Sequence, residues 1–395
     1  MLPSLPDRVG APHWGTASVT SSPAGPAGVV FGAPTWWLTG SKGVLAVIGA
    51  GRDDYRVTQH LDDHYHFAGE QAVLSPDGRR LASVGRVTDL ETGTSLLLPE
   101  LGASVVVPQA WSPDGRWLAA IAYDAPLTLQ PDGSEVPTPS RATLYVLDPG
   151  SGAQHRIADL DLGSVHDGYM VAFAPVGARL AYQSARTVTV ATLTGKTVSR
   201  FVVADGDQLA GKGAWTPDAE GLTLVGQRRC CAGDSYPSRW QLRVVDPATG
   251  DSRSTPVLPE LAGLVAVRLL GWAPSGEAVV AAFYPEPDIA VVGFETEART
   301  LSLSHLQFTD YEWVRAAKVL AVGPGVERTL LSAPDQQVLS IDVADSVIAS
   351  GQGRVGRPPH GIGGLLTTLL AGVAVALVSG VAALVVLARR RRPTP

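Results

Sequence analysis

Positions 75–83 read SPDGRRLAS, and positions 112–120 read SPDGRWLAA. The agreement belongs to a longer pattern. Leu74 and Leu81, Trp111 and Leu118, Phe173 and Leu180, Trp215 and Leu222, and Trp272 and Val279 are apolar pairs, each seven positions apart. Pro76, Pro113, Pro175, Pro217 and Pro274 each stand two positions after the first member, and Trp313 and Leu320 keep the spacing without the proline. Proline sets φ near −65° at the second place of a β-turn, a small polar residue suits the third, and glycine closes it. Because proline has no N–H, it ends a strand instead of sitting within one. Each copy is therefore strand, tight turn, strand.

A second signal follows the first. LYVLDPGSG (144–152), LRVVDPATG (242–250) and VTDLETG (87–93) each run from a β-rich stretch through Asp to a glycine-closed turn, with looser versions at 188–195 and 339–346. One unit thus holds two hairpins, hence four strands. With the Pro/Gly/polar inserts 124–140 and 228–239 set aside, the period is about 40 residues, the spacing of β-propeller blades. A four-stranded sheet cannot bury both its faces alone, so the units must pack radially, with the Trp, Phe and Leu before each turn between neighbours. Units start near 28, 66, 105, 168, 209, 266 and 308, which predicts an all-β propeller of seven four-stranded blades. The unit at 26–57 lacks a clean marker, so counts of six and eight stay open. Segment 12–19, PHWGTASV, is a candidate for the strand that closes the ring. The predicted division is an N-terminal segment 1–27, a propeller 28–345, a linker 346–360, a transmembrane helix 361–388 and a basic tail 389–395.

The W-SPDG-R-x-LA lines resemble the WD40-like repeats of bacterial TolB-type propellers, the PD40 repeats, over about 28–345. FAPVG (173–177), WTPDA (215–219) and WAPSG (272–276) depart from the pattern, and the Gly-His and Trp-Asp marks of eukaryotic WD40 blades are missing. The resemblance implies a binding scaffold and leaves its ligand unspecified.

Segment 361–388 carries no charge. As a helix it would span about 42 Å, against a hydrocarbon core of about 30 Å, which predicts a single membrane crossing. Arg389–Arg392 abut its end, and basic flanks stay on the cytoplasmic side, so the propeller is expected outside. The first thirty residues show no basic region followed by an apolar stretch. Two readings of that conflict stay open: a start upstream of Met1, or a cytoplasmic platform anchored by its tail. The abundance of Ala, Gly, Pro and Arg fits a GC-rich bacterial genome. Gly364, Thr368, Gly372, Ala376 and Gly380 recur every fourth position, the spacing of a weak helix–helix dimer.

The net charge is −6 with the four terminal arginines included, so the rest of the chain is more acidic still. Nucleic-acid binding needs a basic face, and that partner class is set aside. Two cysteines, Cys230 and Cys231, are adjacent, which excludes a disulfide framework. A strained vicinal bond and two plain thiols on a loop are the alternatives left. Asp62–His66, DDHYH, with His60 before it, would put Asp62, His64 and His66 on one strand face; a polar inter-blade loop is the simpler reading, and no metal ligand is assigned. GQGRVG (351–356) matches a dinucleotide-binding pattern in letters only, since no βαβ unit surrounds it. No G-x-S-x-G elbow occurs, and Asp77, Asp114 and Asp218 fall in turns. No catalytic residue and no cofactor is assigned. The expected function is a non-catalytic propeller at the bacterial cell envelope that binds a protein, peptide or glycan. A propeller enzyme with a metal or cofactor in its channel is the rival.

Overall fold

In this computed structural model the described residues are 2–13, 15–37, 40–58, 67–103, 105–125, 127–129, 135–165, 168, 170–228, 239–256, 258–285, 314–333, 338–359, 369, 372–373, 375–376 and 378–379. They contain six four-stranded antiparallel sheets, the blades of a β-propeller. From the innermost strand outward, blade 2 is Ala72–Leu74, Arg80–Ser83, Arg86–Asp89 and Ser95–Leu97. Blade 3 is Val105–Trp111, Leu118–Asp124, Arg141–Leu147 and Gln154–Leu160, and blade 4 is Val171–Phe173, Arg179–Ser184, Thr187–Thr192 and Thr197–Val202. Blade 5 is Asp207–Leu209, Leu222–Arg228, Arg239–Val245 and Glu260–Ala262; blade 6 is Ala266–Trp272, Ala278–Pro285, Val314–Gly323 and Val326–Leu331.

Blade 1 joins both ends of the repeat region. Ala27–Trp37, Gly40–Gly49 and Tyr55–Val57 supply three strands, and Ser340–Val343 supplies the innermost, pairing Val29 with Val343 and Gly32 with Ser340. Segment 12–19 has another place. Ser18 bridges Val57 in parallel, and the Val19 N–H donates to the Val57 carbonyl at 2.9 Å, along the outer strand of blade 1.

The count is six, not the seven that the spacing predicts. Residues 266 to 331 make one blade, with 286–313 inserted between its second and third strands. Leu320 lies inside the unbroken strand Val314–Gly323, where no proline stops the chain; Trp313 lies outside the described residues.

The Pro turns join first to second strands in blades 2 to 6, and in blades 2, 3 and 5 their side chains repeat one pattern. Asp77 Oδ1 accepts from the Ser75 hydroxyl at 2.7 Å and the Arg79 N–H at 3.0 Å, while Ser75 Oγ accepts from the Arg80 N–H at 2.9 Å. Ser112, Asp114, Arg116 and Trp117 repeat it, as do Thr216, Asp218, Glu220 and Gly221. The three carboxylates thus satisfy backbone N–H groups that the strands have left behind.

In blades 3, 5 and 6 a tryptophan precedes the turn and locks its blade to the previous one. Trp111 Nε1–H donates to the Val73 carbonyl of blade 2 at 3.3 Å; Trp215 donates to Ala172 of blade 4, and Trp272 to Gly213 before the blade 5 turn, both at 3.1 Å. Arg80 lies over the Trp111 ring at 4.9 Å and Arg179 over Trp215 at 5.7 Å, each reaching from the preceding blade. Buried aromatic area holds the interface while the indole N–H fixes its register. The hydrophobic core accordingly lies between the blades.

Among the described residues no helix is long and apolar enough to cross a membrane. Most of 361–388 lies outside them. Those described there, Leu369, Gly372, Val373, Val375, Ala376, Val378 and Ser379, are helical, and Leu369, Val373, Val375 and Val378 are exposed.

Candidate functional site

Strand direction divides the ring into two faces. In blades 2 to 6 each innermost strand runs toward its Pro turn, so the first-to-second and third-to-fourth connections lie on one face, the turn face. The second-to-third connections and the passages between blades emerge on the opposite, loop face.

All the long inserts belong to the loop face. Asp124 pairs with Arg141, and the chain between them carries a small hairpin of Leu127–Leu129 with Glu135–Pro137. Arg228 pairs with Arg239 at the mouth of the second insert, whose residues 229–238, with Cys230 and Cys231, lie outside the described residues. Pro285 pairs with Val314 at the mouth of a third, 286–313, which the repeat spacing concealed. His60, Asp62, His64 and His66 are also outside the described residues, between Val57 of blade 1 and blade 2. Among the described residues no group of three or more His, Cys, Asp or Glu is arranged to hold a metal ion.

The axis is packed with charge. Arg268, on the innermost strand of blade 6, is fully buried; its guanidinium donates to the carbonyls of Ile341 (2.6 Å, blade 1) and Ala68 (3.0 Å, before blade 2). Its Nη1 lies 3.5 Å from the buried Glu70 carboxylate, and the group sits 5.5 Å from the Phe283 ring. Only glycine fits at 69, where φ is +83° and a Cβ would stand 2.0 Å from that guanidinium. Gly168, before blade 4, also has φ +83°, and a Cβ there would stand 2.5 Å from the Glu70 side chain.

Lys212 of blade 5 forms the second knot. Its ammonium lies 3.0 Å from Asp342 Oδ1 and 3.1 Å from Asp345 Oδ1, and donates to the Val343 carbonyl at 2.7 Å. Asp342 Oδ2 accepts from the Leu74 N–H of blade 2 at 3.0 Å, and Ser340 Oγ accepts from Ala68 N–H at 2.9 Å. Burial works against the charge on Lys212, but Asp342 and then Asp345 outweigh it and hold its pKa above the ordinary lysine value. The closing strand is thus clamped by blades 2, 5 and 6 together. Sequence reasoning passed over these residues. Their signal was a charge inside an apolar run, as at Arg268 in VAVRLLGW and Asp342 in LSIDVA.

The chain leaves the ring on the turn face. Beyond Val343 the short helix α1 (Asp345–Ser350) buries Val347 and Ile348, and the Ser346 N–H donates to the Pro76 carbonyl at 2.8 Å. Gly353–Arg354 then pairs in parallel with Leu5–Pro6. Within GQGRVG, Gly351 ends α1 with φ +61°, so the motif follows a helix instead of opening one, and the strands flanking α1, Ser340–Val343 and Gly353–Arg354, lie in different sheets. Arg354 pairs with Asp53, and the Arg357 N–H donates to the other Asp53 oxygen at 2.9 Å. The segment through Pro359 is therefore docked along blade 1. A cavity of about 450 Å³ opens there, lined by His13, Gly15, Thr16, Ala17, Asp53, Tyr55, Arg357, Pro358 and Pro359. Burial, then the charge of Asp53, raises the Tyr55 pKa, outweighing the Gly10 backbone and Arg354.

No protein-family profile matches the chain, and no curated protein matches it. Similar solved structures are an oligogalacturonate lyase in complex with manganese, a nidogen/laminin complex and TolB from Acinetobacter baumannii. The lyase aligns at 14% identity and a TM-score of 0.43, over 80% of this chain and 78% of that one. The nidogen/laminin chain aligns at 10% and 0.40, over 80% and 98%. TolB aligns at 11% and 0.37, over 83% and 84%.

Proposed function

We infer that this six-bladed propeller is a non-catalytic binding scaffold, held to a bacterial membrane by 361–388 and presenting its loop face to a protein, peptide or glycan outside the cell. One observation carries the reading: three inserts, 125–140, 229–238 and 286–313, leave the ring on one face, while the closing strand delivers the chain to the other, from which it runs along the outer edge of blade 1 toward 361–388. Loops grafted on a rigid frame are where recognition is commonly built. The charges on the axis are spent on closing the ring, which favours a binding role over chemistry in the channel. The uncharged stretch 361–388, followed by four arginines, supports the anchor and its direction. Exposed apolar side chains at Leu369, Val373, Val375 and Val378 suit a lipid environment.

Protease shaving of intact cells tests the sidedness: an outside propeller is cut away, and one that survives contradicts the reading. For the loop face, 125–140 is replaced by an Asn-Gly turn joining Asp124 to Arg141, two residues suited to a hairpin. The melting temperature stays within about 2 °C, because the hairpin lies outside the blade sheets, and in-cell cross-linking to the partner is lost. A variant that melts early or cross-links unchanged would count against the inserts as the binding element.

A further inference from the structure

We propose that the cavity between 13–17 and 357–359 is a binding site for the phosphate of a phospholipid headgroup, which fixes how the propeller sits on its membrane. The inference rests on the anchoring proposed above and adds a ligand and a site to it. Pro359 is docked, and the uncharged stretch begins at Gly361, two residues further along the sequence, a reach of at most about 7 Å. The polar layer of a bilayer is about 5–7 Å thick on each side. The cavity thus stands at headgroup depth.

Its walls carry donors. The Gly15 N–H donates to His13 Nδ1 at 3.0 Å, so the neutral imidazole keeps its proton on Nε2, and the ring is pinned as a donor. The Thr16 N–H is bonded to the His13 carbonyl at 2.9 Å, which tightens the same turn. Arg357 lines the cavity as well, exposed and held by its backbone N–H on Asp53. Asp53, which also lines the cavity, is engaged on both oxygens, one by the Arg354 guanidinium and the other by the Arg357 N–H. His13 and Arg357 both line this cavity of about 450 Å³, and an imidazole N–H and a guanidinium suit phosphate oxygens. Pro358, Pro359 and the Tyr55 ring offer apolar wall to the glycerol end. Free phosphate shares this chemistry, but the position beside the bilayer points to the lipid.

The experiment uses the full chain expressed in membranes. Flotation in a density gradient first reads the anchor. The protein is then purified in mild detergent, and native mass spectrometry reads retained phospholipid for the wild type, for Arg357→Gln combined with His13→Gln, and for Arg253→Gln as a distant control. Retained phospholipid should fall at least fivefold in the double variant, hold in the control, and resist excess inorganic phosphate. Gln at 13 offers an amide oxygen to the Gly15 N–H in place of the imidazole, the Arg357 N–H keeps Asp53, and an unchanged melting temperature checks the fold. A double variant that floats yet retains lipid as the wild type does overturns this inference alone. So does displacement of the lipid by inorganic phosphate. A chain that does not float overturns the anchoring reading and this site with it.

Discussion

Single side chains in this chain work mostly as local fasteners, and Asp148 shows how. Its carboxylate accepts from the Gly150 N–H at 2.9 Å and the Ser151 N–H at 3.2 Å, and Arg116 reaches it at 3.0 Å from the neighbouring Pro turn. Partial burial opposes its charge, but the Arg116 hydrogen bond, followed by those of Ser151 and Gly150, prevails and lowers its pKa to about 2. A depressed folded-state pKa means stability that is present above the unfolded value and lost as pH falls through the folded one. Asp148→Asn should therefore cost roughly 1–2 kcal/mol at pH 7, and the gap from wild type should close between about pH 4 and pH 2. Denaturant melts across that range test this; a gap independent of pH would assign the loss to geometry instead. Asp89 and Asp246 make the same turn, each accepting from two backbone N–H groups. That chemistry is local, which is why D-x-x-x-G was legible in the sequence.

Between elements, the tryptophan clamps and the axial ion pairs carry the assembly. Trp111→Phe keeps most of the ring but leaves the Val73 carbonyl without its donor, at a cost of about 1 kcal/mol. Trp111→Ala empties the space between blades 2 and 3 and should cost about 3–5 kcal/mol. Matching losses for the two variants would mean that the hydrogen bond, not the packing, holds the blades. Lys212→Met leaves Asp342 buried without its cation, a loss of about 3–5 kcal/mol; adding Asp342→Asn should recover much of it. Because the Lys212 pKa is raised, its contribution is complete below the unfolded lysine value and fades only as pH climbs past it. The turns between strands were legible because each needs particular residues within seven positions. The axial pairs were not, since Lys212 and Asp342, or Arg268 and Glu70, meet only after the ring has closed. Blade 6 misled for a related reason: 286–313 pushes its two hairpins apart, and Trp313 with Leu320 imitates a new unit's spacing with no proline to make the turn.

For the whole molecule, the far end of the chain completes the near end. Ser340–Val343 supplies the inner strand of blade 1, α1 covers the turn face beside it, and Gly353–Arg354 pairs with Leu5–Pro6. No local signal announces such a closure, and 12–19, which resembles a strand, runs along the outer edge instead. A chain ending after Pro359 keeps every ring contact described and should unfold cooperatively at the full-length melting temperature; one ending before Ser340 should lose that transition. Calorimetry separates the two, and equal behaviour would remove the closing strand from the account. The most direct test of a closed six-bladed ring whose loops face away from its membrane is an electron cryomicroscopy reconstruction of the full chain in a lipid nanodisc. The account predicts six lobes around a filled axis, with insert density on the side remote from the disc. Seven lobes, a gap between the first and last blades, or inserts turned toward the lipid would contradict it.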